Sequence, residues 1–170
     1  MILGMSLSTF TLVHVIISIV GIVTGLVVLH GMFASDTLPG STAAFLVTTI
    51  LTSVTGYFFP FTKILPSHIV GAISLLVLAI AVAGYYVFHL AGAWRAVYAA
   101  TAIFALYLNV FVLVVQLFLK VPALHALAPT QESPVFAVTQ GVVLIVFAWL
   151  GYKAVRAFHP ERGMTAVSAR

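Results

Sequence analysis

Long apolar stretches separated by single charged residues dominate the chain. Five of them contain no Asp, Glu, Lys or Arg: residues 1–35, 37–62, 64–94, 96–119 and 133–152. A helix needs roughly 20 apolar residues to cross a bilayer core about 30 Å thick, and each stretch can supply them. Because a segment inside lipid must satisfy its own backbone hydrogen bonds, these stretches predict helices. The pattern predicts an all-α integral membrane protein, a bundle of five transmembrane helices.

Turn and capping residues set the expected ends of these helices. We expect helices over residues 10–32, 42–59, 67–90, 96–119 and 134–155. Ser41 or Thr42 is available as the N-cap of the second helix, and Gly92 as the C-cap of the third. Ser133 followed by Pro134 predicts the start of the fifth. The transmembrane domain is expected over residues 1–158, followed by a polar cytoplasmic tail at 159–170.

Composition excludes several classes of protein. Of the 170 residues, 63% are hydrophobic and 6% charged, against about 25% charged in soluble domains, so lipid must cover the surface. Absence of Cys excludes disulfides, iron–sulfur clusters, thiol catalysis and covalent c-type haem. The acids Asp36, Glu132 and Glu161 lie outside the predicted helices. Proton-coupled transporters generally place a carboxylate inside the membrane, so this class is not expected. No catalytic motif is present, so at most a membrane redox protein is expected, without nucleic-acid binding.

Lys and Arg counts predict the orientation. Five basic residues fall on the side of the C-terminal tail: Arg95, Lys153, Arg156, Arg162 and Arg170. The opposite side carries Lys63 and Lys120. By the positive-inside rule, the N-terminus lies outside and the C-terminus in the cytoplasm. The first apolar stretch lacks a charged leading region, so we interpret it as a retained helix.

Four of the six histidines fall in or beside the predicted helices. His14 and His68 lie near the outer face on the first and third helices, and His30 and His89 lie near the inner face. This layout resembles membrane b-type cytochromes, in which facing imidazoles ligate haem iron. The hypothesis is that His14 and His68 bind one haem b in an electron-transfer protein that acts with quinone. His30 points about 160° away from His14, so a second haem at His30 and His89 is less expected.

Helix packing is the alternative interpretation of the same face. Ser18, Gly21 and Gly25 share one side of the first helix with His14, and Gly21 to Gly25 forms a GxxxG pattern typical of close helix contacts. His14 would then be a hydrogen-bonding residue at that contact. The chain would be a non-catalytic accessory or packing subunit of a larger membrane complex, with a membrane-protein partner or a second copy of itself.

The second predicted helix is rich in hydroxyl groups. Five side chains carry them: Thr48, Thr49, Thr52, Ser53 and Thr55. Hydroxyls in membrane helices usually bond to the preceding turn or to a neighbouring helix. A solute path lined by hydroxyls is the second interpretation.

Several segments between residues 48 and 134 carry a family resemblance. They read TSVTGYFFPF, LPSHIVGAISL, FHLAGAWR, ALYLNVFVLVVQ and ALAPTQESP. This part of the chain resembles small multi-spanning proteins of the bacterial inner membrane, a group defined by location rather than by an activity. The resemblance implies a bacterial plasma membrane, and it implies no cofactor or catalytic residue.

Overall fold

The computed structural model describes residues 2–60 and 66–160. Within these residues the chain forms six α-helices: α1 Leu7–Phe33, α2 Pro39–Gly56, α3 Pro66–Val82, α4 Trp94–Lys120, α5 Pro122–Leu127 and α6 Pro134–Ala157. A π-helical turn, Ala83–Val87, extends α3. The predicted all-α class is confirmed.

Four helices are long and apolar enough to cross a bilayer: Leu7–Phe33, Pro66–Val87, Trp94–Lys120 and Pro134–Ala157. The protein is therefore a multi-pass membrane protein. The fifth predicted span, α2, has 18 residues, or about 27 Å at 1.5 Å per residue. Its hydroxyl side chains lower its apolar character, so composition alone does not establish it as a span.

The central helix of the bundle is α4, which packs against α1, α2, α3 and α6. Its buried side chains include Ala99, Ala102 and Ala105, and small residues allow helices to approach closely in membranes. The connected helices run antiparallel, which gives the bundle two ends. We call them the His14 end, where α1, α3 and α6 begin, and the Arg95 end, where α2 and α4 begin.

The predicted N-cap of α2, Ser41 or Thr42, is wrong. Helix α2 begins at Pro39, so its N-cap is Leu38, in a left-handed conformation with φ of 40°. The earlier start follows from the fixed φ of proline, which suits the first helical position. Thr42 lies within the helix, and its hydroxyl donates to the Thr37 carbonyl at 2.8 Å. Ser41 is likewise inside α2 and is not its N-cap.

The third helix also ends earlier than predicted. Regular α-helix stops at Val82, and the π turn finishes at Val87 rather than at residue 90. Leu90 has a positive φ of 60°, and its N–H returns to the Gly84 carbonyl at 3.0 Å. Gly92 also has a positive φ, of 54°, but it lies in the loop and does not cap the helix. The bonds of this tight turn replace further helical bonds.

The predicted start of the last helix is confirmed. Ser133 is the N-cap and Pro134 the first residue of α6. The preceding loop contains α5, and Leu124 of α5 packs against Phe118 and Ala128. The Lys63 loop and residues 161–170 of the predicted tail lie outside the described residues.

The Arg95 end ties α6 to two other helices. The Ser35 hydroxyl, just after α1, donates to the Ala157 carbonyl at 2.8 Å. Arg95 Nη1 donates to the Phe158 carbonyl at 2.8 Å. Carbonyls at a helix C-terminus have no partner within the helix, so these donors satisfy groups that lipid could not.

Candidate functional site at the interface of α1 and α2

His14 forms a directed hydrogen bond with α2. Its Nδ1 lies 2.7 Å from Thr55 Oγ1. The Thr55 hydroxyl donates its single proton to the Leu51 carbonyl at 2.7 Å, so the imidazole must be the donor to Thr55. His14 Nε2 remains as the atom with a free lone pair in the neutral ring. The Phe59 ring packs edge-on against the imidazole, with centroids 5.2 Å apart.

His68 packs against the same end of α2. Its ring centroid lies 5.5 Å from that of Tyr57, and the Tyr57 hydroxyl donates to the His68 carbonyl at 2.6 Å. A Cβ on Gly71 would lie 3.2 Å from the Tyr57 ring, so the glycine makes room for it. The structure thus places His14 and His68 at one end of the bundle, each against an aromatic side chain from the end of α2.

A row of polar side chains continues from His14 along the contact between α1 and α2. We call this row the hydroxyl seam; it consists of His14, Ser18, Thr48, Thr52 and Thr55. Ser18 donates to the His14 carbonyl at 2.7 Å, and Thr48 to the Ala44 carbonyl at 2.6 Å. Thr52 Oγ1 is buried without a hydrogen-bond partner among the described residues.

The seam ends at Gly21. A Cβ built on Gly21 would lie 3.2 Å from the hydroxyl oxygens of Thr48 and Thr49 and 3.5 Å from Asn109 Nδ2. Asn109 of α4 donates to Thr49 Oγ1 at 3.2 Å. One turn further along α1, Gly25 faces apolar groups. A Cβ there would lie 2.6 Å from Leu106 and 2.9 Å from the Phe45 ring.

The remaining histidines lie elsewhere. His30 and His89 are exposed at the Arg95 end, and His125 is exposed on α5. His159 follows α6, and its N–H donates to Ser35 Oγ at 3.1 Å. Across residues 2–60 and 66–160, no three His, Asp or Glu side chains could together hold a metal ion. A b-type haem needs only two imidazoles, so the proposed ligation by His14 and His68 stays a prediction.

No protein-family profile, curated protein or solved structure matches the chain. What is shown is therefore the class alone: a multi-span helical membrane protein.

Two residues that contact the histidines, Tyr57 and Phe59, were not predicted from the sequence, and neither was the pairing of Thr55 with His14. A signal for the pairing was present. Only five residues, 34–38, connect α1 to α2, and helices joined by so short a loop lie antiparallel side by side. Residues equally distant from the loop then lie at the same level, which places His14 opposite residue 58, within one helical turn of Thr55.

Proposed function

We propose that this chain is a non-catalytic accessory or packing subunit of a larger complex in the bacterial inner membrane. The observation that carries the proposal is that polar side chains in the long helices bond between helices. The bonds join α1 to α2, α2 to α3, α2 to α4 and α4 to α6: His14–Thr55, Ser53–Ser74, Asn109–Thr49 and Gln140 to the Phe111 carbonyl.

Such bonds are the usual role of polar residues in membrane helices. Lipid offers no hydrogen-bond partner, so hydroxyls and amides that bond across helices hold a bundle together. Ser53 donates to Ser74 at 3.0 Å, and Gln140 Nε2 donates to the Phe111 carbonyl at 3.1 Å. These side chains serve assembly of the bundle, which supports a structural role.

The mass of the native particle tests the subunit role. The protein, purified from its own host in mild detergent, is measured by light scattering with the detergent contribution subtracted. We expect a polypeptide mass above the 18.1 kDa of one chain, with a second polypeptide or a second copy in fixed ratio. A mass of one chain at every detergent concentration would contradict the proposal.

We also propose that α2 is the fifth span and that the Arg95 end faces the cytoplasm. Three described basic residues lie at that end, Arg95, Lys153 and Arg156, against Lys120 at the other, which fits the positive-inside rule. Reporters fused to residue 4 and residue 170 should then report opposite sides, with the C-terminus inside. Both reporters on one side would rule out an odd number of spans.

A specific observation favours haem binding as a second candidate. Metal-bound histidines usually donate their other ring N–H to a neighbouring acceptor, and His14 donates from Nδ1 to Thr55, leaving Nε2 for a ligand. A macrocycle would not use the face of Gly21 and Gly25, because Phe45 and Leu106 fill it at Gly25. His14 and His68 would be the axial ligands, and quinone the electron partner.

Spectroscopy tests the haem candidate. The protein is expressed with a haem precursor, and a reduced-minus-oxidised spectrum is recorded. Binding by His14 and His68 predicts an α-band that His14→Ala removes and His30→Ala retains. A flat spectrum together with a negative pyridine haemochrome assay would end this candidate and leave the subunit proposal standing.

A further inference from the structure

Helix α6 turns one face away from the rest of the bundle. At 100° per residue, six side chains in its second half project within an arc of about 100°. We call them the α6 outer face: Val142, Ile145, Trp149, Tyr152, Lys153 and Arg156. All six are exposed, whereas Ala154, on the other side of the helix, is fully buried. The α6 outer face therefore contacts the surrounding membrane.

The chemistry of this face changes with depth. Valine and isoleucine come first, two aromatic residues follow, and Lys153 and Arg156 come last. From Pro134 to Tyr152 the helix rises about 27 Å at 1.5 Å per residue, close to the thickness of a bilayer core, about 30 Å. When Pro134 lies at one boundary of that core, the two basic residues lie at the level of the lipid headgroups at the other boundary. The aromatic rings then lie just inside them.

Each basic side chain is held against an aromatic ring one turn earlier. Lys153 Nζ lies 4.8 Å from the centre of the Trp149 ring. The guanidinium carbon of Arg156 lies 5.3 Å from the centre of the Tyr152 ring. Arg156 Nε and Nη2 also donate to the Tyr152 hydroxyl oxygen, at 3.2 and 3.0 Å. These contacts orient both cations, and they leave both hydrogens of Arg156 Nη1 available to a ligand.

These four side chains offer hydrogen-bond donors. The Tyr152 oxygen already accepts from Arg156, so its own O–H remains to donate. Within the described part of the chain, nothing accepts from the Trp149 indole N–H, the Tyr152 O–H or the Lys153 ammonium. Asp36, the acid described at this end of the bundle, makes no ion pair with either cation. The group therefore presents two positive charges and several donors without an anion to balance them.

A lipid phosphate matches this group in charge, in hydrogen bonding and in depth. Water can accept from the same donors, but charge-assisted hydrogen bonds to a phosphate are roughly twice as strong as neutral ones. The phosphate of a phospholipid also lies at the headgroup level, where Lys153 and Arg156 lie. An anionic lipid carries a net negative charge that these cations neutralise, and basic residues near a membrane surface attract such lipids. In a zwitterionic lipid, the cation of the headgroup competes with them.

We propose that the Arg95 end of the α6 outer face binds the headgroup of an anionic phospholipid. Lys153 and Arg156 bind the phosphate. Trp149 and Tyr152 orient them and donate further hydrogen bonds, and one acyl chain lies along the apolar part of the face. The site is on the outside of the bundle and needs no cavity. The proposal holds whether or not the chain belongs to a larger complex.

Fluorescence of Trp149 measures which lipid lies beside it. Trp94→Phe leaves Trp149 as the sole tryptophan, and phenylalanine keeps a ring against Phe88. The protein is reconstituted in vesicles of phosphatidylglycerol and phosphatidylcholine with identical chains. Bromine on the chains of one lipid, and then of the other, quenches a neighbouring tryptophan, so the two quenching curves give the relative binding of the two lipids. We expect phosphatidylglycerol to be preferred about fivefold or more, the contribution of at least one basic residue at an anionic surface.

Two controls separate a site on α6 from a general attraction to a basic bundle end. Lys153→Gln combined with Arg156→Gln removes both charges from exposed positions and should reduce the preference to about twofold or less, whereas Lys120→Gln at the other end should leave it unchanged. Trp149→Phe in the otherwise natural chain makes Trp94 the reporter, at the same end of the bundle but on α4. An equal preference at the two tryptophans, or a preference that survives the double substitution, would overturn the proposal. So would the absence of any preference at Trp149.

Discussion

The two halves of the contact between α1 and α2 are built differently. From His14 to Gly21, the side chains that meet are an imidazole and hydroxyls. From Gly25 to Met32, the side chains that meet are apolar. Val28, Met32 and Phe45 are each no more than 3% exposed. One pair of helices thus combines a polar half at the His14 end with an apolar half at the Arg95 end.

The difference shows two ways of holding helices together in lipid. In the apolar half, tight packing around Gly25 supplies the attraction, because lipid tails are as apolar as the side chains and burial gains little. In the polar half, hydrogen bonds act between groups that lipid cannot satisfy. Packing tolerates no added volume, whereas hydrogen bonds in membranes contribute only modestly each. The two halves should therefore respond differently to substitution.

Gly25→Ala should have the largest effect. The added methyl would lie 2.6 Å from Leu106 and 2.9 Å from the Phe45 ring, and overpacking of this kind costs about 1–3 kcal/mol of unfolding free energy. The measurement is reversible unfolding in mixed micelles with a denaturing detergent. Gly141→Ala is the control, since nothing lies within 4 Å of its Cβ position. Equal stability of the two variants would show that the contact at Gly25 is loose.

Much of the fold could be predicted from the sequence, for physical reasons. Charge-free runs identify membrane helices because lipid excludes charge and demands helical bonding. Pro134 marked the start of α6 because proline suits the first helical turn. The end of α3 could not be predicted, because the chain after the π turn folds back so that Phe88 stacks on Trp94, six residues later, with ring centroids 3.9 Å apart. Helical periodicity does not encode that contact.

The candidate site could be predicted only in part. The shared face of His14, Gly21 and Gly25 followed from helical periodicity. What fills that face did not, because it depends on which helices are neighbours. Phe45 comes from α2 and Leu106 from α4, and a single sequence carries no record of that arrangement beyond the short loop between α1 and α2.

Thr49→Val should have an intermediate effect. Thr49 is fully buried and accepts the hydrogen bond of Asn109 Nδ2, so valine leaves that amide unpaired at a cost of about 1 kcal/mol of unfolding free energy. Thr48→Val is the matched control. The Thr48 hydroxyl donates to Ala44 in its own helix, and its loss should change stability by less. A larger effect at Thr48 than at Thr49 would show that the amide has another partner.

The bond between His14 and Thr55 should contribute the smallest measurable effect. Hydrogen bonds between membrane helices average about 0.6 kcal/mol in double-mutant cycles, and this one lies at the partly exposed end of the seam. The cycle compares His14→Phe, Thr55→Val and the double variant by unfolding in mixed micelles. Phenylalanine keeps a flat ring against Phe59, so the cycle isolates the hydrogen bond from the ring contact. A coupling near 0.6 kcal/mol is expected at neutral pH. Coupling of zero at neutral pH would mean that the polar half is held by the packing of Phe59 and not by this bond.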